Sequence, residues 1–136
     1  MVRVARSEDI PAVLELWGVA RTRAAVTPDT REAVELLLAR SREGVLVAES
    51  EGRVVGVLIA AWDGWRGNMY RLAVLPVYRR RGLARELVDA GHAHLRAQGA
   101  RRVTALVGSE DGEAQALWRA VGYELDEHVG RFVRNL

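Results

Sequence analysis

The sequence predicts a mixed α/β fold of the α+β kind, and three observations predict it. Strand-like and helix-like patterns alternate along the chain. A turn signal, Glu51-Gly52, separates two apolar runs and marks a β-hairpin. A strand stopped by Pro76 leads directly into a long amphipathic helix and then another strand, the pattern of a parallel crossover.

Val2-Arg6 alternates as a short strand. Ser7 reads as an N-cap, with Glu8 and Asp9 complementing the dipole of the helix that carries Ile10, Val13, Leu14 and Trp17. Thr27-Pro28-Asp29 reads as a second helix start: a capping Thr, Pro at the first helical position, and an acid in the first turn. Val34, Leu37 and Leu38 give that helix its apolar face, and Gly44 follows its end. Val45-Glu49 and Val54-Ala60 are the hairpin strands. Asp63-Asn68 is a loop, and Tyr70-Leu75 is the strand that Pro76 stops.

Gly82 to Gln98 carries the clearest helix pattern, with Leu83, Ala84, Leu87, Val88, Gly91 and Leu95 on one face. Arg102–Val107 is a strand. Glu113–Val121 is a helix closed by Gly122, and Tyr123–Leu136 supplies one or two closing strands. No repeat or Ser/Pro-rich linker interrupts the 136 residues, so one domain spanning 1–136 is expected.

Composition removes several functions. There is no cysteine, which excludes disulfides, thiolate zinc sites and a cysteine nucleophile. No apolar run reaches the ~20 residues of a membrane helix. The opening Met1-Asp9 lacks the apolar core of a signal peptide, so a cytoplasmic protein with no membrane partner is expected. The formal charge is only +2, too balanced to indicate a nucleic-acid binder. All 20 basic residues are arginine, and Arg79-Arg80-Arg81 is their densest point.

That cluster lies in the informative segment, Leu72 to Leu87, where a strand ends, an arginine-rich loop follows and a helix begins. The first amides of a helix have no internal partner, and the macrodipole adds positive potential there. Together they suit a phosphate. Gly82 has no Cβ, and Ala84 is the next smallest choice, so backbone can approach a pyrophosphate closely. Arginine adds charge-assisted bonds of about 1.5–3 kcal/mol, against up to ~2 kcal/mol for the dipole, so the two share the binding. The segment lacks the Gly-Lys-Ser/Thr of a P-loop and the three glycines of a dinucleotide fingerprint.

Arg79-x-x-Gly82-x-Ala84, preceded by Val74-x-Pro76-x-Tyr78, resembles the acetyl-CoA signature of the GNAT superfamily of N-acetyltransferases, Arg/Gln-x-x-Gly-x-Gly/Ala at a strand–helix junction. Val2 to Ile10 resembles the family's first strand and helix, and Leu46-Glu49 with Val54-Gly56 its second and third strands. Ala114-x-x-Leu117-Trp118-x-x-x-Gly122-Tyr123 resembles its C-terminal motif. The ordered set covers nearly the whole chain. Asp63-Gly64-Trp65-Arg66-Gly67 resembles a group of small, mostly uncharacterised bacterial members.

The resemblance implies the acyl-CoA N-acyltransferase fold, a mixed, twisted sheet of about six or seven strands with about four helices. It implies acetyl-CoA as acyl donor and no metal. The reaction it implies is direct transfer of acetyl to a primary amine of a small-molecule or protein acceptor. The backbone amides of Arg80, Arg81, Gly82, Leu83, Ala84 and Arg85 then hold the pyrophosphate, with Arg79 bracing the loop. Leu72, Ala73 and Val74 pair with the pantetheine arm like an added strand, and the Val74 amide donates to the thioester carbonyl.

Two positions depart from the family pattern. Asp111 stands where the family often has Asn, and Trp118 where it usually has the Tyr proposed to protonate the CoA thiolate. An indole N–H is not a usable acid. Either the thiolate leaves unaided, which its pKa near 8.5 favours, or the chain binds CoA and transfers little. For a general base, Glu110 and Asp111 are the nearest carboxylates, and Tyr70 is a further candidate.

Plainer readings stand beside these. The arginine run reads as a solvated face when taken without its flanks, or as a nucleic-acid patch, although only Tyr78 is adjacent as a stacking group. His92 and His94 are surface or structural, Trp17 is core, and Trp62 and Trp65 either pack or line the acceptor side. Glu110 and Asp111 double as caps of the following helix. An exposed C-terminal strand is compatible with a homodimer.

Overall fold

In the computed structural model, which describes residues 1–19 and 29–136, the chain opens with β1 (Val2–Val4), a short 3₁₀ turn at Ser7–Asp9 and α1 (Ile10–Val19). Ser7 does not cap. Asp9 takes that role, accepting the Arg6 N–H at 2.7 Å while binding the Arg3 guanidinium at 2.7 and 2.9 Å. A carboxylate that satisfies both a backbone donor and a cation outcompetes a hydroxyl. Next comes α2 (Arg31–Ser41). The expected cap and first-turn residues Thr27 and Pro28 lie outside the described residues. The helix is capped instead by Thr30, which accepts from the Ala33 N–H at 3.1 Å.

The centre is the hairpin of β2 (Val45–Ser50) and β3 (Arg53–Trp62). Its turn residues Glu51 and Gly52 both have positive φ, the tight turn whose twist matches paired strands. Then follow β4 (Gly67–Val74), α3 (Leu83–Gln98), β5 (Val103–Ala105) and α4 (Gly112–Ala120). The sheet order is β1-β2-β3-β4-β5, antiparallel except for the parallel pair β4–β5 that α3 connects.

Both sheet faces are covered, which is why the buried stretches Val45–Ala48 and Val54–Leu58 are continuous apolar runs and not alternations. Val13, Trp17, Val34 and Leu38 pack with Val47, Val57 and Ala73 on one face. Leu87, Val88, Leu95 and Trp118 pack with Leu58, Met69 and Val74 on the other. Gly91 lets α3 close onto the sheet: a Cβ there would meet the Met69 methyl at 2.7 Å and Leu58 Cδ2 at 3.1 Å. Among the described residues, no helix is long and apolar enough to cross a membrane.

The sheet has five strands, fewer than the six or seven expected, because Tyr123–Leu136 forms none. Leu125, Val129, Phe132, Val133 and Leu136 are all exposed. Those residues recur mostly three or four apart, with Asp126-Glu127-His128 and Gly130 between them, so no run keeps the period of two that a strand needs.

Candidate active site

The strand–helix junction forms as a sequence of local constraints. Pro76 opens a 3₁₀ turn over Pro76–Tyr78, closed by the Arg79 N–H on the Pro76 carbonyl at 3.2 Å. Arg80 and Gly82 then take positive φ, 61° and 82°. Gly82 is the N-cap of α3 and supplies no side chain. The first helical bond runs from Glu86 N–H to the Gly82 carbonyl at 3.0 Å. The N–H groups of Leu83, Ala84 and Arg85 precede it and therefore have no intrahelical acceptor. A Cβ placed on Gly82 meets nothing within 4 Å, so no distant side chain crowds that point of the helix start, and free amides at such a terminus suit an anion.

Beside this junction the sheet splays. β4 and β5 pair only over Gly67–Met69 and Val103–Ala105, and the last bond between them is from Leu106 N–H to the Met69 carbonyl at 3.4 Å. β4 continues to Val74 against β3 alone. Leu75 N–H donates to the Val55 carbonyl at 2.9 Å, which makes Gly56–Val74 a non-hydrogen-bonded pair. The N–H and C=O of Val74 therefore face away from β3, into the splay. The carbonyl accepts from Arg79 Nε at 3.2 Å, so Arg79 ties the loop to the strand end.

A β-bulge precedes Val74. Val57 pairs with Ala73 but Ile59 pairs with Tyr70, so Arg71 and Leu72 together oppose Leu58. Sequence reasoning missed this. Met69 and Leu72 face the same core although they are three apart, a slip in the alternation at Arg71 that only the packing reveals. Arg71 has φ 55°, donates to the Asp29 carboxylate, and lies over the Trp17 ring at 5.1 Å. Trp17, buried as expected, also donates from Nε1 to the Arg71 carbonyl at 3.1 Å.

The remaining predicted residues lie on β4, in the junction loop, on α3 and around α4. Tyr70 is half-buried on β4, on the α1–α2 side of the sheet by alternation from Met69. Glu110 is exposed in the turn before α4. Asp111 caps α4, accepting the Ala114 N–H at 3.0 Å. Arg79 Nη1 also lies 3.9 Å from Glu113. Arg81 stacks on Tyr78 at 5.1 Å, and Arg85 donates to the Ala120 carbonyl at 3.3 Å. Trp118 is buried edge-on against Tyr123, with ring centroids 4.8 Å apart.

Tyr123 in turn shares a 2.7 Å hydrogen bond with His92 Nε2. Burial pushes the Tyr123 phenol up to about 12 and pushes the His92 imidazolium below its ordinary range, with Arg96 adding to the second shift. Trp65 is exposed with Arg66 over its ring, and Trp62 is half-buried.

Known proteins agree with this architecture. The chain is 31% identical over 130 residues to Acetyltransferase SG1711 of Sodalis glossinidius, covering 94% of this chain and 89% of that one. Its fold superposes on Ard1 from Thermoplasma volcanium with a TM-score of 0.81 at 21% identity, covering 93% and 83% of the two chains. A ribosomal-protein-alanine N-acetyltransferase from Brucella melitensis gives 0.75 at 28% identity, covering 91% and 84%. Residues 10–123 match the Acetyltransferase (GNAT) family, and the chain belongs to it.

Proposed function

We propose that the protein transfers acetyl from acetyl-CoA to a primary amine by direct attack, with a small molecule or a protein amine as acceptor. One observation carries this reading: the Val74 N–H faces the β4–β5 splay next to the open N-terminus of α3. A diphosphate on the Leu83–Arg85 amides and a thioester beside Val74 would then lie along one continuous path. Arg79 holds the two ends in register through the Val74 carbonyl. Family membership supports acetyl transfer, and the name of the Brucella protein, an N-acetyltransferase, supports nitrogen as the accepting atom.

The chemistry needs a neutral amine, an oxyanion donor and a leaving group. The Val74 N–H is the donor, and a preorganised amide in a cleft is worth about 2.7–4 kcal/mol at the transition state. Deprotonating a lysine side chain at pH 7 costs about 4–5 kcal/mol, an α-amine only about 1. Tyr70 and Glu110 are the groups proposed to take that proton, Glu110 through water. Trp118 donates no proton, so the thiolate departs unassisted, which its low basicity permits.

The buried Trp118 also favours a second reading, a CoA-binding protein with little transfer. Incubating the protein with acetyl-CoA and a panel of amines, including peptides with free N-termini, lysine peptides, polyamines and aminoglycosides, separates the two. Thiol release with at least one amine is expected. Saturable acetyl-CoA binding with no release for any amine overturns the transferase reading.

A further inference from the structure

Among the described residues, three non-glycine residues have positive φ: Glu51, Arg71 and Arg80. Glu51 sits in the hairpin turn and Arg80 in the junction loop. Only Arg71 lies inside a strand. It occupies the extra place of the β4 bulge, in a left-handed conformation that glycine ordinarily supplies. Such strain persists where surrounding groups over-determine it. Trp17 and Asp29 supply such groups here. The Trp17 indole N–H holds the Arg71 carbonyl at 3.1 Å, the Trp17 ring lies under the guanidinium, and the Asp29 carboxylate accepts from its Nη2.

The bulge decides which amide faces the splay. Continuing the Ile59–Tyr70 register without the extra residue would pair Val57 with Leu72 and Gly56 with Ala73. Ala73 would then turn its N–H to the splay, and Val74 would bond β3. With the extra residue, Val74 faces the splay. We propose that Trp17 and Asp29 are positioning residues of the acyl site: by holding Arg71 left-handed they fix the bulge, and through it the aim of the Val74 N–H. The inference rests on the reading that the thioester occupies the splay.

The test reads the thioester carbonyl directly and needs no acceptor. Isotope-edited infrared spectra of [1-¹³C]acetyl-CoA are taken free and bound to the wild-type protein, to Trp17→Phe, which keeps an aromatic face without the donor, and to Asp29→Asn. In the wild type the bound carbonyl band shifts down, reporting the amide contact. Both variants are expected to lose most of that downshift while the Kd, dominated by the diphosphate, stays within about threefold. Adding Arg71→Gly to Trp17→Phe is expected to restore the downshift, because glycine takes the left-handed conformation without anchors.

A downshift retained in both single variants overturns the inference and leaves the proposed function standing. So does a downshift lost only in parallel with affinity and melting temperature, with no recovery in the double variant, since Trp17 is then packing alone. A wild-type protein that binds no acetyl-CoA overturns the proposed function and this inference with it.

Discussion

Arg79 donates from Nε to the carbonyl of Val74, 3.2 Å away, and so joins the loop before α3 to the end of β4. The bond couples the two halves of the proposed donor site. One half is a set of helix-terminal amides for the diphosphate; the other is a strand edge for the acyl arm. The Arg79 side chain is about two-fifths exposed, and Glu113 at 3.9 Å is a loose second partner. A charge-assisted bond at that exposure is worth about 1 kcal/mol after screening. Arg79→Ala is therefore expected to weaken acetyl-CoA binding about fivefold by calorimetric titration. Arg79→Lys should recover little, because an ammonium cannot reproduce the fixed Nε donor. Wild-type affinity in both variants would show that the brace is dispensable.

Gly82 gives a sharper test. With φ 82° and no atom within 4 Å of the place a Cβ would occupy, its constraint is conformational, not steric. Gly82→Ala is expected to cost on the order of 1 kcal/mol in stability, the penalty of a left-handed L-residue. Gly82→Glu adds a carboxylate in front of the amides proposed to hold the diphosphate. It should remove the thermal stabilisation that acetyl-CoA gives the wild type. Stabilisation that survives Gly82→Glu places the diphosphate elsewhere.

Asp9 separates fold from site. Its carboxylate binds Arg3 at 2.7 and 2.9 Å and the Arg6 N–H at 2.7 Å, locking β1 to the start of α1. Asp9→Ala leaves a poorly hydrated Arg3 and an unpaired amide, a loss of about 2–3 kcal/mol by urea unfolding. Acetyl-CoA affinity should not change. The Arg3 guanidinium, with the Arg6 amide, holds the Asp9 carboxyl below its ordinary 3.8. The stability it contributes is thus complete above pH 3.8 and is lost as pH falls through the lowered value. Asp9→Ala should flatten that part of the acid limb.

The junction was legible because it is written in local chemistry. Pro76 must stop a ladder, Gly82 must precede a helix whose apolar face begins at Leu83, and no distant residue is needed to infer either. The hairpin was legible for the same reason, from Glu51-Gly52. The bulge at Arg71 was not, because an arginine in left-handed conformation is fixed by Trp17 and Asp29, 54 and 42 residues away in sequence. The capping choice at Asp9 over Ser7 depended likewise on Arg3 arriving from β1. The absent closing strands had a local sign, the broken alternation after Tyr123.

The His92–Tyr123 contact ties α3 to the segment after α4 through a 2.7 Å hydrogen bond and stacked rings 5.7 Å apart. Burial, reinforced by Arg96, disfavours a proton on His92, whose ordinary pKa is 6.5. As pH falls below 6.5 the unfolded chain takes up a proton at this site that the native protein refuses, so stability should drop until the native imidazole also titrates. At the other end, burial raises Tyr123 to about 12 from its ordinary 10.0. Between those values the unfolded phenol ionises first, and stability should fall as pH rises. Urea midpoints across both windows check the pair together. His92→Gln should flatten the acid limb alone, and Tyr123→Phe the alkaline limb alone. If His92→Gln leaves the loss below pH 6.5 unchanged, that loss comes from another group and the contact does not couple protonation to folding.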